Sequence, residues 1–220
     1  KTRGNPNLKP ETSLTYEFGI DTEYAGFTGG LGWFHTNQND KIASGFPACV
    51  DGDCTWTTSR NVDAAVLSAI EVNVSYRHPF SIFGWPVTLR PFADLSYYTE
   101  RKLLDTAYAR VLKSDIVPYV PLWNVTGGIE LNVNQKVSLM FSGIFDGPGQ
   151  QENWDYLSPT YTQAIDMGGF SVFSIRLSVT PTKYFNCYLG IENLTDLDYA
   201  FVNGYPMPGR TFKGGLELRF

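Results

Sequence analysis

Long stretches in which apolar and polar residues swap at every step constrain this chain more than any other feature. In Leu14-Thr15-Tyr16-Glu17-Phe18-Gly19-Ile20-Asp21 the alternation is unbroken. Side chains of a strand point to opposite faces in turn, so such a segment is a strand with one apolar and one polar face. The pattern returns at Val66, Ile70, Val72, Val74 and Tyr76 against Glu71, Asn73 and Ser75. It returns again at Val87, Leu89, Ala93, Leu95 and Tyr97 against Thr88, Arg90 and Asp94. Val125, Ile129, Leu131 and Val133 face away from Asn124, Thr126, Glu130 and Asn132, and Phe173, Ile175, Leu177 and Val179 from Ser174, Arg176 and Ser178.

Turn residues between these runs predict about nine strands. Their expected spans are 12–25, 27–42, 60–77, 86–103, 109–133, 136–146, 163–180, 184–193 and 210–220, with no amphipathic helix of useful length. Several exceed the five or six residues usual in soluble sheets and reach the length that tilted bilayer-crossing strands need. A soluble β-sandwich also alternates, but it predicts shorter strands and an apolar face covered by a second sheet. The expected fold class is therefore all-β, an antiparallel transmembrane β-barrel.

The connections support this. Short turns are expected near Ala25-Gly26, Asn134-Gln135 and Pro181-Thr182-Lys183, and longer loops at 43–59, 104–108, 147–162 and 194–209. Outer-membrane barrels put short turns on the periplasmic side and long loops outside. His78–Trp85 is a longer turn on the short side. Aromatics make up 15% of the chain, and Tyr24, Trp33, Tyr76, Phe80, Phe83, Trp85, Tyr97 and Trp123 gather near strand ends. Amphipathic rings favour the headgroup level, so these are expected to form the interfacial girdles. No run of about 18 apolar residues exists, which excludes a transmembrane helix and says nothing against a barrel.

The net charge of -5 argues against a nucleic-acid partner. Cys49 and Cys54 flank Val50-Asp51-Gly52-Asp53, a strong turn sequence, and a disulfide-closed hairpin tip is the expected reading. It implies an oxidising compartment. The alternative is a pair of free thiols or metal ligands, with no third or fourth ligand nearby. Cys187 reads as a small apolar strand residue.

Both ends of the chain carry more specific signals. Gly4-Asn5-Pro6-Asn7-Leu8-Lys9-Pro10-Glu11 resembles the segment that leads into a downward strand in TonB-dependent receptors. Gly190-Ile191-Glu192-Asn193-Leu194-Thr195-Asp196-Leu197-Asp198-Tyr199 resembles the family's "NLTDxxY" box, and Gly204–Phe212 its last loop and final strand. The ending Leu216-Glu217-Leu218-Arg219-Phe220 is similar to the signal read by the outer-membrane assembly machinery, which makes Phe220 the expected assembly signal. In physical terms, Pro6 and Pro10 stop regular pairing before the first strand, and Asn193 with Thr195-Asp196 favours a turn at a strand exit.

The resemblance implies a location in the bacterial outer membrane and active import of a scarce, bulky ligand such as a ferric siderophore, cobalamin or haem. It also implies a 22-stranded barrel around a plug with an energy-coupling box. On that scheme residues 1–220 are the C-terminal segment of the barrel, about its last nine strands, without a plug. The implied partners are the remaining strands and the plug, the TonB–ExbB–ExbD system through the plug, and outer-membrane lipid. Asn5-Pro6-Asn7-Leu8 also occurs in haem receptors of the family, but the chain starts after the position of their ligating His, so the box does not select haem.

Within this scheme Phe46, Trp56, Trp154, Tyr156 and Tyr161 are the candidate ligand-capturing loop residues. Rigid aromatics offer contact area at low entropic cost, although girdle or loop packing explains them equally well. Glu71, Arg90, Asp94, Glu130 and Arg176 are expected on the lumen face, packed against the plug or paired among themselves. No catalytic constellation, metal site or cofactor site emerges. A small structural barrel or an outer-membrane enzyme are the rival classes; for the latter, neither His35 nor His78 has a serine neighbour that stands out.

Overall fold

The structure is a computed structural model that describes residues 2–104, 106–153, 155 and 157–219. In chain order its elements are β1 (Thr2–Arg3), β2 (Thr12–Tyr24), β3 (Phe27–Val50), β4 (Asp53–Tyr76), β5 (His78–Ile82), β6 (Trp85–Leu103) and α1 (Thr106–Leu112). These are followed by β7 (Trp123–Val133), β8 (Val137–Asp146), β9 (Gly149–Glu152), β10 (Ala164–Met167), β11 (Phe170–Thr182), β12 (Phe185–Glu192) and β13 (Thr211–Leu218). One sheet runs β13-β12-β11-β8-β7-β6-β4-β3-β2, so every long strand pairs with its neighbours in sequence. Each pair along this path is antiparallel. The arrangement is the up-and-down meander of a barrel wall, with β2 and β13 at its two edges.

The register sorts the side chains as the alternation requires. Ile20, Leu31, Val72, Leu95, Val125 and Phe145 are cross-strand partners in one continuous row. The neighbouring row is Asp21, Gly30, Asn73, Asp94 and Thr126. Apolar residues of the first face stay uncovered: Phe18 is 73% and Ile20 62% exposed. In water that face would be a severe liability, whereas lipid is its proper solvent.

Two-residue turns with both residues at positive φ close β2–β3 at Ala25-Gly26 and β5–β6 at Phe83-Gly84. Such turns match the right-handed twist of the paired strands. At the opposite end β3 and β4 continue far past their neighbours. Each is 24 residues long, and their ribbon ends at the Asp51-Gly52 turn, with Cys49 and Cys54 joined as a disulfide. A crossing strand needs only about 9–11 residues, so half of this hairpin stands outside the bilayer. The expected loop at 43–59 is thus paired strand.

Three further expectations need correction. The span 109–133 is not one strand; its first part belongs to α1 and the loop after it. Val111 mimicked alternation, but Tyr108 and Leu112, four residues apart, lie on one helical face and are both buried. The span 163–180 breaks at Gly168-Gly169, and β10 pairs with β9 as a separate hairpin. The turn at 78–85 contains β5, which pairs with β6.

The N-terminal segment crosses the ribbon. β1 pairs in parallel with Thr57 and Thr58 of β4, whereas β2 pairs with β3 on the ribbon's other side. Between them Asn5 donates to the Ser59 carbonyl, and Asn61 exchanges two hydrogen bonds with the Lys9 backbone, at 2.8 and 2.9 Å. Asn5 also accepts from the Asn7 amide, an Asx turn that bends the chain. The residues that carry the family resemblance are therefore a strap that fixes the ribbon's base.

Candidate functional site

The long loops converge on one end of the sheet, and a small apolar core holds them there. Ala65, Leu103, Tyr108, Leu112 and Val117 are buried together, with Phe46, Leu67, Val120 and Ala164 packed around them. This core ties the ribbon, β6, α1 and β10 into one body.

The polar run Gln150-Gln151-Glu152-Asn153 then links that body to the other loops. The Gln151 side chain, 5% exposed, donates to the Phe201 carbonyl and accepts from the Asn203 amide at 2.7 Å. Glu152 accepts the Tyr108 hydroxyl, and the Tyr119 hydroxyl at 3.4 Å. Gln150 accepts from the Ser114 hydroxyl and donates to Asp166 at 2.8 Å. Asn153 donates to Ser158 and Thr160. Burial and the bond to Glu152 hold the Tyr108 phenol far above its ordinary value. Four consecutive polar residues between Gly149 and Trp154 were the only sequence sign of this junction.

The last loop is closed by a second clamp. Asn193, 2% exposed and at φ 52°, donates to the carbonyls of Leu197 and Pro208 and accepts from the Leu197 amide. Asp196 accepts the Arg210 amide at 2.6 Å, and the Arg210 side chain returns to the Leu194 carbonyl. Tyr199 and Phe201 pack on Phe170 at 4.9 and 5.1 Å between ring centroids. The box and the Pro208-Gly209-Arg210 segment thus lock the two ends of one loop together.

The candidate capture residues are dispersed over this surface. Phe46 is half-buried, packed on the Tyr108 ring at 5.9 Å, with the Arg60 guanidinium 5.4 Å from its ring centroid. Trp56 lies on β4 opposite Ala48 beside the disulfide, and Tyr161 is exposed at the turn after Ser158. Trp154, Tyr156 and the terminal Phe220 lie outside the described residues. Tyr119, Phe201, Tyr205 and Met207 are also exposed on the loops and were not among the capture candidates.

The charged candidates lie on the polar face. Arg90, Glu130, Met140, Arg176, Gly190 and Lys213 form one cross-strand row. Arg90 donates twice to Glu130, at 3.1 and 2.8 Å, and Lys213 pairs with Glu192 at 2.7 Å. The Arg176 guanidinium lies 4.0 Å from the centroid of the Tyr188 ring. That ring crosses Gly215, where a Cβ would come within 2.5 Å of it. Glu71 and Asp94 share the same polar face through their pairings with Ser96 and Asn73. His35 and His78 have structural surroundings: His35 bonds Ser68 at 2.7 Å and stacks on Trp33, and His78 stacks on Tyr76 and Phe80. Among the described residues no group of three or more His, Cys, Asp or Glu is arranged to hold a metal ion.

Residues 1–194 match the family described as "TonB dependent receptor-like, beta-barrel". The chain belongs to the TonB-dependent receptor family. This places it in the bacterial outer membrane, and its disulfide suits that compartment. It is 23% identical to the ferric enterobactin receptor of Pseudomonas aeruginosa, matching 99% of this chain and 31% of that protein. It is 27% identical to the iron-regulated outer membrane virulence protein of Vibrio cholerae, over 99% of this chain and 32% of that one. Among solved structures, a point variant of the P. aeruginosa ferric enterobactin receptor superposes with a TM-score of 0.71 at 20% identity, covering all of this chain and 32% of the other. The chain thus spans about a third of the relatives it matches. Receptors, not enzymes, are its named relatives.

Proposed function

We propose that this chain supplies the last strands of a plugged outer-membrane barrel that imports a ferric siderophore, energised by TonB–ExbB–ExbD. The observation that carries the reading is the family match over residues 1–194 of a sheet with one uncovered apolar face and one charged face. Residues 1–220 are its C-terminal barrel segment and hold no plug, so the plug and the other strands are its partners. Trp56, Trp154, Tyr156 and Tyr161 capture the ligand, together with Phe46, which packs on the Tyr108 ring. Glu71, Arg90, Asp94, Glu130 and Arg176 face the plug, and Phe220 is the assembly signal.

The test is uptake of radiolabelled ferric siderophores, with cobalamin and haem as comparison ligands, by cells carrying the complete receptor. Uptake of a ferric siderophore is expected and should vanish without the coupling protein. Trp56→Ala with Trp154→Ala should weaken capture more than it weakens folding. Uptake that is independent of the coupling protein would overturn the reading.

A further inference from the structure

At the short-turn end of the polar face is a cavity of about 250 Å³ lined by Arg77, Thr88, Arg90, Glu130, Asn132 and Gln135. Every lining side chain is polar or charged. Arg90 is held rigidly: Nε and Nη2 both donate to Glu130 Oε2, and its guanidinium lies 5.3 Å from the centroid of the Phe92 ring. The other Glu130 oxygen accepts from the Ser138 hydroxyl at 3.1 Å. Glu130 is therefore satisfied on both oxygens. Arg77 acts on Glu130 only through space, and among the described residues its guanidinium has no hydrogen bond or ion pair. Two guanidiniums and one carboxylate leave one positive charge in the cavity.

The Arg77 guanidinium, with no partner among the described residues, is suited to a planar anion, since its parallel N–H donors match a carboxylate fork. Arg90, whose Nε and Nη2 are engaged by Glu130, adds its Nη1 donors. We propose that this cavity is a socket for a single Asp or Glu side chain on polypeptide that fills the lumen. Lipid cannot reach the polar face of a barrel wall, and about two thirds of the relatives' length lies outside this chain, so the acid comes from that remainder of the same receptor. The inference rests on the receptor reading above and names the contact by which one part of the lumen filling is held.

The experiment places a benzophenone amino acid at Gln135 of the complete receptor and maps the photo-crosslinked peptide by mass spectrometry. A peptide from outside residues 1–220, with an Asp or Glu beside the attachment point, is expected. Arg77→Gln should lower the crosslink yield about tenfold, the effect of losing one charge-assisted hydrogen bond, and Arg77→Lys should retain most of it. Exchanging the mapped acid for Arg in an Arg77→Asp background should restore the yield. Crosslinks only within residues 1–220, or an unchanged yield in Arg77→Gln, would overturn the socket. Ligand uptake by the unsubstituted receptor, measured in parallel, separates this outcome from failure of the receptor reading.

Discussion

Replacing Asn193 by Ala and by Gly, in the complete receptor, separates the two roles of this residue. Its side chain makes three hydrogen bonds, to the Leu197 carbonyl at 2.9 Å, the Pro208 carbonyl at 3.3 Å and from the Leu197 amide at 2.9 Å. Losing them in a site 2% exposed removes about 2 kcal/mol of net stabilisation. The backbone at φ 52° adds a second term, because Ala in the left-handed region costs about 1 kcal/mol and Gly costs nothing there. The loop clamp should therefore weaken by about 3 kcal/mol in Asn193→Ala and about 2 kcal/mol in Asn193→Gly. At 1.4 kcal/mol per decade, these are losses of protection of about a hundredfold and about thirtyfold. Hydrogen exchange at the Asp196 and Arg210 amides reads this directly. Their acceptors are the Asn193 carbonyl and the Asp196 carboxylate, so neither loses its own partner in the variants. Protection in Asn193→Gly equal to that of the unsubstituted receptor would refute the hydrogen-bond argument. Equal losses in Ala and Gly would refute the backbone argument.

Three other outcomes are expected. Thiol labelling of the denatured, non-reduced protein should modify Cys187 alone, because Cys49 and Cys54 are bonded to each other; labelling of all three would contradict the structure. The raised Tyr108 value makes its contribution complete below the unfolded phenol value of 10.0 and lost as pH rises beyond it toward the folded value. Protease cleavage of the α1 loop should therefore increase above about pH 10, and Tyr108→Phe should flatten this alkaline sensitivity. Gly128→Ala should impair barrel stability by about 1–3 kcal/mol through overpacking, since a Cβ there would run into the Phe141 carbonyl and meet the Phe92 ring at 3.0 Å. Gly4→Ala, with nothing within 4 Å, is the control expected to match the unsubstituted receptor in a detergent thermal melt.

The strands inside the bilayer were legible because lipid on one side and polar surroundings on the other impose period two over their whole length. Leu14 to Asp21 and Phe173 to Val179 carry that signal without help from any other segment. Outside the bilayer the rule lapses. The residues at 43–59 read as a loop because both faces of a projecting ribbon meet water or other loops, and the pattern that marks a strand is diluted. α1 was hidden for the opposite reason: among its described side chains Tyr108 and Leu112 are buried, and such a pair does not overcome the local look of alternation.

The sequence by itself determined the period-two wall, the turn residues that order it, the disulfide-tipped hairpin and the family. All are local properties, fixed by residues adjacent in the chain or, for the family, by short motifs near its two ends. Only the tertiary structure decided that Gln151 joins β9 to the last loop, that Glu152 receives two phenols, and that Arg77 and Arg90 line one cavity. The loop meetings join residues 33 to 52 apart in sequence, and all of them depend on strand register. No local pattern specifies such pairs, because their stabilisation arises only once the sheet has brought the loops to the same end.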